Sequence, residues 1–405
     1  MNILYTTARF PYPLMHGDQL VPYFRIRQLA RKHQITLLSF VEGSKEMEHV
    51  RQLQPFCAEV HTVRLPKWRS CASTMAGALS ALPLQVLYYS SREYQRRLRE
   101  ILAKRKFDVI HTVLARAANH TIGIAGMVKV CEMIDTLSLN MKWRADDGHW
   151  PIEKLWRIEA ERMLRFEQRI CRSFDAVVVC SETDRQALHA PNVTVIPGGV
   201  PGGVDLSVRP RSSTPAHKLV IFTGNLVYWP NQEAAIFLLH DIWPRLRQAV
   251  PQARLRIVGN RPGANLLRLA QQFPDVEVTG FVPDVRQHLL QADVAVVPIC
   301  SGGNGVQTKA LEAMACGIPV VVSALVKGMH GLPGTDFLVA ADASGYVQAI
   351  RSILENPMLA TALAENGKRL VAEKYSWEKN TQRLELLYQD LLDRKLTSTR
   401  HAYRN

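Results

Sequence analysis

The chain has 405 residues, 47% of them apolar and 21% charged, and Lys plus Arg exceed Asp plus Glu by 14. That composition excludes a disordered tail, a collagen and a coiled coil, and the length suits two domains that each bury a core. The basic excess calls for an anionic partner: a phosphorylated small molecule, an anionic membrane surface or a nucleic acid.

In chain order, short β-branched runs occur at 2–6, 35–40, 59–63, 108–112, 130–134, 176–180 and 193–196. They recur at 219–223, 254–258, 276–279, 293–298, 319–322 and 337–339. These runs are apolar throughout instead of alternating, as strands buried on both faces of a parallel sheet are. Amphipathic segments such as 23–32, 231–248 and 306–316 lie between them. Strand–helix–strand repetition predicts an α/β fold with doubly wound parallel sheets. The alternation breaks once, in the Pro-, Gly- and Ser-rich stretch PGGVPGGVDLSVRPRSSTP at 197–215. A domain boundary is placed there, giving domains at 1–205 and 206–375 and a closing helix within 376–405.

The helix predicted over 151–172 opens on a proline, whose missing N–H is not needed at that position. Leu155, Met163, Phe166 and Ile170 fall on one face, and Glu153/Arg157 and Glu161/Arg165 are i,i+4 pairs. Its charges read as a solvated face. The seven cysteines are scattered with no C-x-x-C, which predicts reduced, mostly buried thiols and a cytoplasmic setting. No basic region followed by an apolar core opens the chain, and the uncharged stretch 71–91 contains Gly77, Pro83 and Gln85. Neither a leader nor a bilayer span is expected.

A dinucleotide fold would need G-x-G-x-x-G after the first strand, but the loop there reads ARFPYPLMHGD with one glycine. No Walker pattern occurs either, so NAD enzymes and P-loop NTPases are excluded. The most informative segment is SGGNGVQTKALEAMACGIP at 301–319. It follows an apolar strand, and Gly302, Gly303 and Gly305 let backbone N–H groups approach an anion where a helix begins. Lys309 and Glu312, three residues apart, share one helix face. A cation beside a phosphate site and a carboxylate one turn deeper suit a nucleoside diphosphate. The spacing also fits a helix whose Lys and Glu merely face solvent.

TKALEAMACGIPVVVS resembles the K-x-LEAMA-x-G-x-PVV signature of retaining GT-B glycosyltransferases of family 4. FTGNLVYWPN, RIVGNRP, TGFVPDVRQHLLQADVAVVP and the opening FPYPLMHGD extend the resemblance over nearly the whole chain, and bacterial exopolysaccharide sugar transferases are the nearest group. The resemblance implies two Rossmann-like domains facing across a cleft and a UDP- or GDP-sugar as substrate, with no further cofactor. Glu312 matches the second Glu of the family's E-x7-E motif, which binds the ribose. The first would fall at Asn304, so that half is absent, and Gly303 and Gly305 flank it. Gly224 and Asn225 occupy the family's diphosphate loop, here without its usual cations, for which Lys309 compensates. Arg261 and Val282 lie on loops that border the nucleobase in the family, or are plain surface loops.

In the first domain, Gly17 would set its N–H against the leaving phosphate and His16 lies beside it, or is only an exposed loop histidine. Asp135 ends a strand where relatives carry His or Asp near the reacting sugar, or it caps the following turn. His16, Asp135 and Lys309 are the expected catalytic residues. Loss of phosphate from C1 and same-face attack by an acceptor hydroxyl need positioning and charge stabilisation more than protein acid–base chemistry. No D-x-D occurs, and no metal is expected. Residues 60–106 hold ten Lys/Arg against two Glu around Leu84, Val86, Leu87, Tyr88 and Tyr89. That pattern suits peripheral contact with an anionic membrane and a glycan or lipid-linked acceptor, or else a solvated basic helix beside core. It lacks the interleaved aromatics of a nucleic-acid surface, and no nucleic-acid partner is expected. An epimerase of the same architecture and a silent nucleotide-sugar binder are the alternative functions.

Overall fold

The computed structural model describes residues 1–14, 16–77, 80–146, 152–200, 218–301 and 305–402. All thirteen apolar runs form strands. The first seven are β1 (Asn2–Thr7), β2 (Gln34–Val41), β3 (Glu59–Arg64), β4 (Val109–Val113), β5 (Val128–Ile134), β6 (Ala176–Val179) and β7 (Val193–Val195). They make one parallel sheet in the order β3-β2-β1-β4-β5-β6-β7. The other six are β8 (Lys218–Thr223), β9 (Ala253–Val258), β10 (Val276–Gly280), β11 (Val294–Val297), β12 (Val320–Ser323) and β13 (Leu338–Ala340). They form a second parallel sheet, β10-β9-β8-β11-β12-β13. Each central strand is covered on both faces, which is why its apolar run does not alternate.

The chain divides into two compact units, one of residues 1–198 with 377–405 and the other of residues 199–376. The boundary expected at 205/206 lies outside the described residues. The closing helix, Trp377–Ala402, belongs to the first unit, where a fully buried polar chain holds it. Tyr388 bonds His111 Nδ1 at 2.6 Å, His111 Nε2 lies 3.0 Å from Glu132, and Arg25 Nε donates to Glu132 at 3.2 Å. Burial alone would raise the Glu132 carboxyl, but Arg25 and the His111 hydrogen bond hold it below the usual carboxylate range.

Three local expectations change. The helix Ile152–Ser173 buries Met163, Phe166 and Ile170 but leaves Leu155 52% exposed. Glu159 and Glu167 are buried on it instead, because each carboxylate takes backbone amides from a neighbouring segment: Leu84 N on Glu159, Leu137 and Ser138 N on Glu167. The 231–248 segment is not one regular helix: Trp229–Phe237 loosens into a π turn at Leu238–Ile242, just before Pro244, whose ring nitrogen has no proton to donate. Finally, Val86, Leu87 and Tyr89 are buried in the first unit and present no docking face. The exposed apolar residues near them are Trp68 and Met75, on the helix Lys67–Ala76.

Candidate functional site

In an open parallel sheet, ligands bind outside the carboxyl ends of the strands where the strand order reverses. The second sheet reverses between β8 and β11. The loop after β8 carries Gly224 and Asn225. A β-carbon on Gly259, after β9, would stand 2.0 Å from the Gly224 carbonyl oxygen, so only glycine lets the two loops meet. Asn225 is occupied by its own turn, its Oδ1 accepting from Val227 N at 3.2 Å and its carbonyl from Asn231 Nδ2 at 3.0 Å.

After β11 the glycine-rich turn leads into the helix Thr308–Ala315. Gly302, Gly303 and Asn304 lie outside the described residues; Gly305 lies within them and is half-buried. Lys309 is in the first helical turn. Its Nζ donates to Asn231 Oδ1 and stands 5.7 Å from the centre of the Phe222 ring. Among the described residues it forms no ion pair. Burial pushes its ammonium down to about 8, against the pull of Glu312. Glu312 is pushed up to about 7, again by burial, which outweighs the nearby Lys309 and Arg286. Arg286 spends its charge on Asp284 at 3.1 Å, and Asp284 also caps the helix Val285–Leu289. The pair is thus incompletely matched: a cation wants an anion, and a carboxylate wants hydrogen-bond donors.

Arg261 and Val282 sit on the loops after β9 and β10, on the same sheet edge. Arg261 is exposed and has a left-handed backbone (φ 52°), a strained choice for a non-glycine residue. Val282 is half-buried against the apolar core. Ser301, at the entrance of the glycine-rich turn, donates to Glu233 at 2.7 Å.

The first sheet reverses between β1 and β4. His16 occupies the N-cap position of the helix Gly17–Leu29, exposed and with no capping bond from its side chain. Nothing lies within 4 Å of where a β-carbon on Gly17 would stand. Asp18, in the first turn, pairs with Arg9 at 3.2 Å and Arg116 at 3.8 Å, the latter from the helix Ala115–Thr121 after β4. Asp135, after β5, is exposed, and its carboxyl makes no hydrogen bond or ion pair among the described residues. Protein crowded around it thins its hydration, and the negative charges of Asp184 and Asp18 add to this. Together they push it up to about 7, against Arg116. Asp135 does not cap the turn that follows; Glu167 does, from the Ile152–Ser173 helix.

The structure therefore brings Lys309 and Glu312 together in one unit, and Asp135, Asp18 and Arg116 with the His16–Gly17 loop in the other. Sequence reasoning missed Asn231, Arg286, Asp18, Arg116, Asp184 and Glu167. Asn231 had a signal, standing in the first turn of a helix straight after a Gly-Asn loop; the buried acids had none. Among the described residues no cluster of three or more His, Cys, Asp or Glu is placed to hold a metal ion.

Residues 217–356 match the family model described as glycosyl transferases group 1, and residues 23–201 match that of glycosyltransferase family 4. Over 395 residues the chain is 24% identical to an uncharacterized 44.6 kDa protein in the cps region of Klebsiella pneumoniae, covering 93% of this chain and 97% of that one. It is 28% identical over 233 residues to glycogen synthase of Mycobacterium tuberculosis, covering 52% and 53%. It is 32% identical over 219 residues to D-inositol 3-phosphate glycosyltransferase of Geodermatophilus obscurus, covering 47% and 46%. The chain spans about half the length of these last two relatives. Among solved structures, sucrose-phosphate synthase of Thermosynechococcus elongatus superposes with a TM-score of 0.67 at 20% identity, over 97% of this chain and 99% of that one. HepE of Anabaena, in complex with UDP and glucose, gives 0.67 at 16% identity over 96% and 100%.

Proposed function

The chain belongs to the family 4, group 1 type of glycosyltransferase with the GT-B fold, and from that premise we propose that it moves a sugar from a UDP- or GDP-sugar to a glycan or lipid-linked acceptor. The reading includes retention at C1, no metal, and a place in surface polysaccharide synthesis. The observation that carries it is the incompletely matched pair Lys309 and Glu312 at the switch point of the second sheet. Lys309 and the amides opening its helix hold the diphosphate. Glu312 accepts the two ribose hydroxyls. Bonding both partners restores the charges that burial has weakened, so the gain from binding is concentrated on a ligand carrying an anion and a diol one helical turn apart.

In the first unit, Gly17 leaves open space for an oxygen to approach the first amides of its helix. Asp135, free of protein partners, holds a hydroxyl of the reacting sugars in line. Departure of the diphosphate leaves an oxocarbenium-like C1, which the acceptor hydroxyl attacks, and the leaving phosphate takes its proton. The UDP-bound HepE structure supports the nucleotide-sugar class, and the relative named for a cps region supports the place in surface polysaccharide synthesis. Membrane contact is assigned to the helix Lys67–Ala76, where Trp68, Cys71, Ala72 and Met75 form an exposed stripe at i, i+3, i+4, i+7 beside Arg64 and Lys67. No helix among the described residues is long and apolar enough to cross a membrane.

The test is a melting screen with UDP, GDP and ADP followed by a transfer assay. At a hundredfold excess over Kd the right nucleotide adds about 2.7 kcal/mol, a rise of roughly 5–10 °C for a unit of this size. The proposal fails if no nucleotide shifts the melt, or if Glu312→Ala shifts as the unaltered protein does.

A further inference from the structure

The backbone that presents Asp135 is under strain on one side and clamped on the other. On the N-terminal side, Ile134 holds φ at 64°, a left-handed conformation that a β-branched residue adopts only when its surroundings impose it. The β5/β6 register shifts at this point, with Cys180 N donating to Ile134 O at 3.2 Å and Asp135 N turning back to Met133 O at 2.8 Å. On the C-terminal side, the next three amides all go to carboxylates. Thr136 N donates to Asp184 Oδ1 at 2.8 Å, and Leu137 N and Ser138 N donate to Glu167 Oε1 at 2.8 and 3.3 Å. Ser181 and Ser138 hydroxyls fill the second oxygens. Asp184 is 5% exposed and Glu167 is fully buried, while Asp135 between them faces solvent.

Two buried carboxylates are a costly way to cap one helix, since a serine at the cap position would serve. We propose that Glu167 and Asp184 are positioning residues that fix the aim of Asp135 toward the sugar hydroxyl it holds. The proposal rests on the role given to Asp135 above. Glu167 acts on geometry alone, through the helix Leu137–Asp146 that follows. Asp184 acts through the Thr136 amide it holds, and its charge adds to the desolvation that raises Asp135. The groups facing Asp135 are Asp184, Asp18, Arg116 and the Cys180 thiol.

Steady-state transfer kinetics from pH 5 to 9, with melting curves, decide the matter for Asp135→Asn, Asp184→Asn, Glu167→Ala and Glu167→Gln. Asp184→Asn keeps an oxygen for Thr136 N but removes the charge, so the acid limb of kcat moves to lower pH by about half a unit or more. Glu167→Ala lowers kcat by about 10–100-fold with KM for the nucleotide-sugar nearly unchanged, and Glu167→Gln recovers most of it because one oxygen still takes both amides. If Glu167→Ala does not fold, the Asp184→Asn profile and Glu167→Gln carry the test. Superimposable pH profiles, with kcat falling only as folded protein is lost, overturn the proposal while Asp135→Asn remains inactive. If Asp135→Asn itself keeps full kcat, the role of Asp135 is what fails, and the positioning claim with it.

Discussion

Lys309 donates its ammonium proton to the Oδ1 of Asn231, a neutral partner where a lone buried cation would ordinarily find a carboxylate. A neutral acceptor holds the side chain in place without consuming its charge. The titration of the site follows from this. Lys309, lowered to about 8, is cationic below that pH; Glu312, raised to about 7, is an anion above it. Nucleoside diphosphate affinity should therefore peak between about pH 7 and 8. In calorimetric titrations, Lys309→Met should flatten the alkaline limb and Glu312→Gln the acid limb, each weakening binding by about 10–100-fold at the optimum.

The same carboxyl should leave a mark on stability. Its folded pKa is raised above the unfolded value, so between about pH 4.5 and 7 the folded chain retains a proton that the unfolded chain has released. That contribution falls as pH rises through the window. Glu312→Gln should then melt at a higher temperature than the parent at pH 8, with the gap narrowing toward pH 4.5. A constant gap would mean the carboxyl is not destabilised by burial.

Two glycines should respond in opposite ways. Gly259→Ala drives a methyl into the Gly224 carbonyl and should lower stability by about 3 kcal/mol, with loss of nucleotide binding. Gly17→Ala meets nothing and should melt as the parent does, yet lower kcat if the helix amides there contact phosphate. Melting curves and kcat measured side by side separate the two.

The closing helix tests the buried polar chain. Tyr388→Phe removes the hydroxyl from His111 and leaves a ring nitrogen without its partner. It should destabilise by about 1–2 kcal/mol, lowering Tm by roughly 4 °C, without changing kcat of the folded protein.

Membrane contact predicts that the protein sediments with vesicles containing anionic lipid and less so with neutral ones or in high salt. Trp68→Ala with Met75→Ala should abolish sedimentation while transfer to a soluble acceptor persists. Unchanged sedimentation would remove the Lys67–Ala76 helix from that role.

The central strands were legible because strands covered on both faces are apolar from end to end, whereas the half-exposed edge strands β3 and β10 showed through their β-branched residues. The Lys309 and Glu312 pair was legible because three-residue spacing on a helix fixes a shared face. Asn231 had only its place in the first turn of a helix to signal it; its bond to Lys309 was not legible, since the two stand seventy-eight positions apart and only the β8/β11 adjacency joins them. Glu167 was hidden by its setting: in a run of alternating charges it looks like any solvated acid, and only tertiary packing delivers the Leu137 and Ser138 amides to it. The burial of Val86, Leu87 and Tyr89 was hidden for a related reason, because these side chains are apolar whether they face solvent or core.

A crystal structure with UDP or GDP bound tests the donor assignment most directly. The ribose hydroxyls should lie within hydrogen-bond distance of Glu312, with the phosphates on Lys309 and the amides near Gly305. A nucleotide bound on another part of the unit, or a Glu312 carboxylate turned away from the sugar ring, would contradict it.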